Sequence, residues 1–159
     1  MPAPYAEHLD GADPVDVLKS SLEDYRVVST RLTPEVWRRP WAPGKCTVQQ
    51  IVLHVAQWEM IFAVRIRCAL AVPDYTVQTM DQDHLLVAEE QAVDGPTALA
   101  AFEALRKMNM ALAVSLSPPQ RQTLCRHPER GLIAVEDLLV TLAGHPVHHL
   151  KQIRECLGA

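Results

Sequence analysis

Apolar residues three and four positions apart recur in four long stretches of this chain, and each stretch is cut off by proline or glycine. Val15, Leu18, Leu22, Tyr25 and Leu32 mark the first. Asp13 followed by Pro14 starts it, because the carboxylate caps free N–H groups and proline takes a position that needs none. The second opens on Thr47 with Gln50 three residues on, a reciprocal cap, and carries Ile51, Val55, Trp58, Phe62 and Ile66 toward Leu70. The third follows "VDGP", presents Leu99, Phe102, Leu105, Leu112 and Leu116 on one side, and ends at "SPPQ". The fourth follows "RHPERG" and shows Val135, Leu138, Leu142, His145, His149 and Ile153 before Cys156. No stretch alternates with the period of two that a strand requires. Four long amphipathic helices, with one long link between the second and third, predict an all-α helical bundle.

The breaks between helices have their own content. "TPEVWRRPWAPGKC" reads as a structured loop with a turn of helix after Thr33 and with Trp37 and Trp41 packed beneath it. Residues 82–92 predict a short helix within the long link. At 159 residues and 48% hydrophobic content the chain suits one domain spanning 1–159, with 1–12 a loose N-terminal segment. A net charge of −4 gives no electrostatic footprint for nucleic acid or an anionic membrane, so small molecules or other proteins are the expected partners. The opening "MPAPYAEHLDGADP" lacks the basic and apolar regions of a secretion signal, and no segment approaches 18 uninterrupted apolar residues, which predicts a cytoplasmic protein. Cys46, Cys68, Cys125 and Cys156 form no CxxC and are read as free thiols.

The chemistry concentrates in "GHPVHHLKQI", residues 144–153. At 100° per residue His145 and His149 fall in the middle of the buried stripe of their helix and His148 near its edge, while His54 faces inward between Ile51 and Trp58. Two readings stand. Each imidazole can be a core residue with its own polar partner, or His145 and His149, one turn apart, can join His54 in a three-nitrogen site for a divalent ion. Three protein ligands leave positions free for water or substrate, as in catalytic zinc sites. Pro146 predicts a kink or restart of the helix, since it removes one hydrogen bond and crowds the carbonyl of Leu142. Arg65, about 20° from His54 on the wheel, is a candidate for holding an anionic substrate, and Gln152 and Cys156 continue the histidine face as candidate supports for the ligands. His127 is assigned to the turn before the last helix, and His8 and His84 to the surface. No nucleophile–base pair, GxSxG motif or phosphate-binding glycine loop is present.

The strings "APGKCTVQQIVLHVAQWEMIFAVRIRCAL", "FEALR", "RHPERGLIAVEDLL" and "GHPVHHLKQI", in that order, resemble the DinB-like superfamily of helical proteins, distinct from the DNA polymerase of similar name. The resemblance runs from about Val15 to Leu157. It implies an up-down-down-up four-helix bundle with a long crossover between helices two and three, often a homodimer. It further implies a divalent metal, zinc or nickel, on His54, His145 and His149, with His148 a frequent non-ligand. Two departures are Cys46, where the family usually has tryptophan in PGKW, and Pro146, where aspartate is common.

Members of that family with assigned activities include thiol-dependent transferases and isomerases, so the resemblance implies a metal-dependent transferase with a low-molecular-weight thiol as cosubstrate. A metal-dependent hydrolase is the second enzyme reading. A stress-linked binding or scaffold bundle, with any metal purely structural, is the non-catalytic one.

Overall fold

The computed structural model describes residues 2–158. Four long helices carry the fold: α1 (Pro14–Ser29), α3 (Val48–Ala71), α5 (Gly95–Ser115) and α7 (Val135–Cys156), with short helices α2 (Pro34–Trp37), α4 (Gln82–Glu89) and α6 (Pro118–Arg121) between them. Their starts are set by side chains. Asp13 accepts from the Val15 N–H at 2.8 Å, and Asp94 does the same for Thr97. At α3 the Thr47 hydroxyl accepts from the Gln50 N–H while the Gln50 carbonyl accepts from the Thr47 N–H, closing the reciprocal cap.

Contacts along the helices fix their directions. α1 and α7 run parallel, since Arg121 joins Asp13 to Glu136 at the α7 start, Tyr25 donates to the Pro146 carbonyl and Arg31 to that of Leu157. α3 and α5 also run parallel, with Leu53 beside Ala98 and Glu59 bonded to Arg106 and Asn109. α1 and α5 are antiparallel, Ser21 meeting Arg106 and Arg26 meeting Glu103. α3 and α7 are antiparallel too, His54 lying beside His149 and Trp58 beside His145. The result is the up-down-down-up bundle. Parallel neighbours require a crossover, and residues 72–94 provide it, pinned to α3 where Gln57 donates to the Leu85 carbonyl and Glu89 and where Gln49 donates to the Val93 carbonyl.

The interior divides into two apolar clusters, one around Leu18, Phe62, Ile66 and Leu142, the other around Tyr25, Ile51, Phe102 and Ile153. On each long helix a buried polar residue marks the boundary between them: Ser21, Glu59, Arg106 and His145. Glu59 and Arg106 form an ion pair with no solvent exposure on either side chain. Arg106 also donates to the Ser21 hydroxyl and the Leu18 carbonyl, and Asn109 donates to the second Glu59 oxygen. Every oxygen of the carboxylate therefore has a donor, the condition under which a charge tolerates burial.

Several expectations need correction. "RHPERG" is the turn of an antiparallel hairpin, β1 (Leu124–His127) with β2 (Gly131–Ala134), in register Leu124 to Ala134. The crossover also pairs with it, the Val77 N–H donating to the Arg126 carbonyl. His127, assigned to the turn before the last helix, is the final residue of β1 and borders that turn. Residues 6–9 form a 3-10 turn packed on α7, with Ala3 and Leu9 buried, so the N-terminal segment is not loose. Gly144 permits this approach, because a Cβ there would lie 2.3 Å from the Tyr5 carbonyl oxygen. His8 is not a plain surface residue, since its ring lies 5.2 Å from that of His148. α7 continues through Pro146 without restarting. Trp37 is buried, whereas Trp41 is half-buried and lines a cleft. Among the described residues no helix is long and apolar enough to cross a membrane.

Candidate metal centre

The antiparallel contact of α3 with α7 brings His54, His145 and His149 together. His145 Nε2 lies 2.9 Å from His54 Nε2 and 3.0 Å from His149 Nε2, and one ligand atom from each ring falls within 4.8 Å of the others. The four-residue spacing stacks the two α7 rings one turn apart on the inward face. His145 is fully buried at the boundary of the two apolar clusters, while His54 and His149 are half-buried.

Burial sets the charge of the group. Desolvation holds His54 below the ordinary histidine pKa and His145 well below it, with the neighbouring imidazoles adding to the effect on His145. His149 is pushed down to about 4, mainly by burial, against a smaller opposing effect of its bond to Gln152. All three rings are therefore neutral near pH 7, and each keeps a lone pair.

The lone pair of His149 has a definite location. Its Nδ1 faces the Gln152 carbonyl oxygen at 2.8 Å, so Nδ1 carries the proton and Nε2 presents the lone pair to its two neighbours. The Gln152 amide nitrogen points toward His148 Nε2 at 3.5 Å, consistent with that assignment. Trp58, one turn after His54, stacks on His145 at 4.5 Å between centroids, and Tyr5 meets the same ring edge-on at 5.1 Å. Nδ1 of His145 is buried without a partner among the described residues.

A cleft of about 290 Å³ reaches the cluster, lined by His54 and His149 together with Trp41, Cys46, Gln50 and Asp83. Asp83 is the one carboxylate in that lining, and none hydrogen-bonds a ring of the cluster among the described residues.

Other residues singled out from the sequence fall in different places. Gln152 hydrogen-bonds the His149 ring. The His148 ring packs beside Tyr5, His8 and His149 and is not among the three that share the centre. Cys156 is not beside the cluster: its thiol donates to the carbonyls of Arg39 and Pro40. Arg65 is also remote from the shared centre, because eleven residues separate it from His54, a helical rise of about 16 Å. Sequence reasoning missed Tyr5, which only tertiary packing delivers to His145. It placed Trp58 in the apolar stripe without its ring contact to His145, although Trp58 stands four residues after an inward histidine.

A parallel-neighbour four-helix bundle with three clustered histidines shared between its second and last long helices defines the class. The sequence profile of the DinB superfamily matches residues 18–153, and the chain belongs to that superfamily. A protein named "Putative metal-dependent hydrolase" from Oceanobacillus iheyensis is 27% identical over 110 residues, covering 69% of this chain and 64% of the relative. A second of that name from the same organism is 25% identical over 127 residues, covering 80% and 73%. The match thus spans about two thirds of the first relative's length. Among solved structures, YfiT from Bacillus subtilis, described as "a probable metal-dependent hydrolase with an unusual four-helix bundle topology", matches with a TM-score of 0.81 and 23% identity over 90% of this chain and 83% of that one. That likeness shows the shared fold.

Proposed function

We propose that this chain is a divalent-metal-dependent enzyme acting on small molecules, with zinc or nickel held by His54, His145 and His149. One observation carries the reading: three neutral imidazoles, one buried and two half-buried, turn their Nε2 atoms toward one another. Hydrogen bonding alone serves this arrangement poorly, because a single Nε2 of His145 has either one proton or one lone pair to share between two neighbours. Three borderline nitrogen donors around one point suit a d-block cation. When bound, the ion supplies positive charge that lowers the pKa of a nucleophile, with coordination positions to spare beyond the three rings.

The surrounding residues have separable tasks. Gln152 fixes the tautomer and orientation of His149. Trp58 and Tyr5 hold the His145 ring and keep water from it. The cleft of Trp41, Gln50 and Asp83 admits the substrate beside His54 and His149. A thiol is the nucleophile this site favours, because it needs the least assistance: its free pKa is about 8.5 against 15.7 for water, and among the described residues no carboxylate hydrogen-bonds the cluster. Thiol-dependent group transfer is accordingly the leading reaction class. Hydrolysis is the second, supported by the names of the relatives.

Elemental analysis of untagged protein purified without added metal tests the ligands. Near-stoichiometric zinc or nickel is expected, lost in His54→Ala, His145→Ala and His149→Ala and retained in His148→Ala. Equal loss in all four variants would refute the assignment. With cobalt in the site, a small thiol is expected to produce a sulfur-to-metal charge-transfer band, absent in His149→Ala. An unchanged spectrum together with water-dependent ester or amide cleavage would replace transfer by hydrolysis.

A further inference from the structure

A second cleft of about 290 Å³ lies beside the N-terminal turn, and none of the three clustered histidines lines it. Its walls include the rings of Tyr5, Trp58 and Phe62, and two guanidinium groups, Arg65 and Arg130, reach it from α3 and from the hairpin turn. Among the described residues neither arginine pairs with a carboxylate. Glu129 stands in the lining, exposed, so the cleft keeps a net positive charge.

The donors here are under-used. Arg65 is only 9% exposed, and a guanidinium so buried ordinarily has a partner for each N–H. One of its terminal nitrogens donates to the Gln78 carbonyl and its plane lies over Phe62, yet Nε has no acceptor among the described residues. The Trp58 indole N–H is buried and unpartnered as well. His127 accepts the Glu129 N–H at Nδ1, which leaves its proton on Nε2. Burial first, and then the positive charges of Arg130 and Arg65, hold His127 below the ordinary histidine range, so the three groups share one neighbourhood.

We propose that this cleft is a binding site for a small organic anion, a carboxylate on a planar apolar body. Two guanidinium groups and the unpartnered Arg65 and Trp58 N–H donors reach the same cleft, a set suited to an acceptor with two oxygens. The aromatic walls take the planar body, as apolar linings with a few placed polar groups do in small-molecule sites. Gln82 lines both this cleft and the one that opens on His54 and His149. A bound anion therefore sits next to the substrate path of the proposed metal enzyme, while its binding requires no metal.

Calorimetric titration of the full chain with benzoate, benzamide and inorganic phosphate tests the proposal. Saturable benzoate binding is expected, with benzamide and phosphate each at least about tenfold weaker, the loss that follows from removing a charge-assisted bond or the apolar contact. Arg130→Gln, on a surface turn, should weaken benzoate about tenfold with unfolding unchanged, and Arg65→Gln should weaken it at least as much. His149→Ala should leave benzoate affinity intact, whatever its effect on metal content. No binding at millimolar benzoate, equal binding of benzamide or phosphate, indifference to Arg130→Gln, or loss in His149→Ala would each overturn the proposal. Only the metal analysis bears on the metal reading itself.

Discussion

Replacing Arg106 by methionine removes one partner of a fully buried ion pair without leaving a large void. In the native chain Glu59 receives Arg106 at one oxygen and Asn109 at the other, and Arg106 also serves Ser21 and the Leu18 carbonyl. The variant keeps only the Asn109 bond to the carboxylate, while the Ser21 hydroxyl retains its bond to the Leu18 carbonyl. Uncompensated charges in such settings cost roughly 3–5 kcal/mol, a fifth or more of the roughly 5–15 kcal/mol that holds a domain folded. For a chain of this length that corresponds to a Tm lower by roughly 6–20 °C. Urea unfolding followed by circular dichroism measures it. The double variant Glu59→Leu with Arg106→Met, which removes both charges, is expected to recover at least half of the loss. A single-variant loss below about 1 kcal/mol, or a double variant less stable than the single, would refute the view that a stranded charge is the source of the cost.

Gly144→Ala forces a methyl group against the Tyr5 carbonyl and should lift the 3-10 turn off α7, seen as faster amide exchange in residues 2–12; unchanged protection would contradict the close packing drawn there. For the metal-free chain, the depressed His149 pKa makes stability fall as pH drops below the unfolded value near 6.5, the loss continuing until about 4. His149→Gln should flatten that profile in urea titrations, and an unaltered slope would count against burial of a neutral ring.

The helices were legible because their signals are local. Asp13 with Pro14, Thr47 with Gln50 and the three-and-four spacing of apolar residues act within a turn or two, and the elements begin where those residues stand. The histidine cluster was legible for a related reason: His145 and His149 share a face by spacing alone, and His54 needed only an inward position on another helix. The hairpin was not, since its strands are four residues each and depend on pairing with a distant crossover segment. Glu59 and Arg106 look like solvated charges when each helix is read separately, and only their mutual approach makes burial tolerable. Arg65 shows the limit of the helical wheel, which reports direction around the axis and discards distance along it.

The parallel pairing of α1 with α7 has a consequence for the order in which the chain can be completed during synthesis. Tyr25 bonds a carbonyl 121 residues later and Arg31 one 126 residues later. The first long helix to leave the ribosome thus finds a partner in α5 but keeps the part of its face that meets α7 unmatched until the last helix emerges, and α3 waits for the same event before His54 meets its companions. Helix formation can proceed as each segment appears, but closure of the interior waits for α7, with long-range contacts to make. A nascent chain stalled before Val135 would expose both apolar clusters, and chaperone demand should peak at that length.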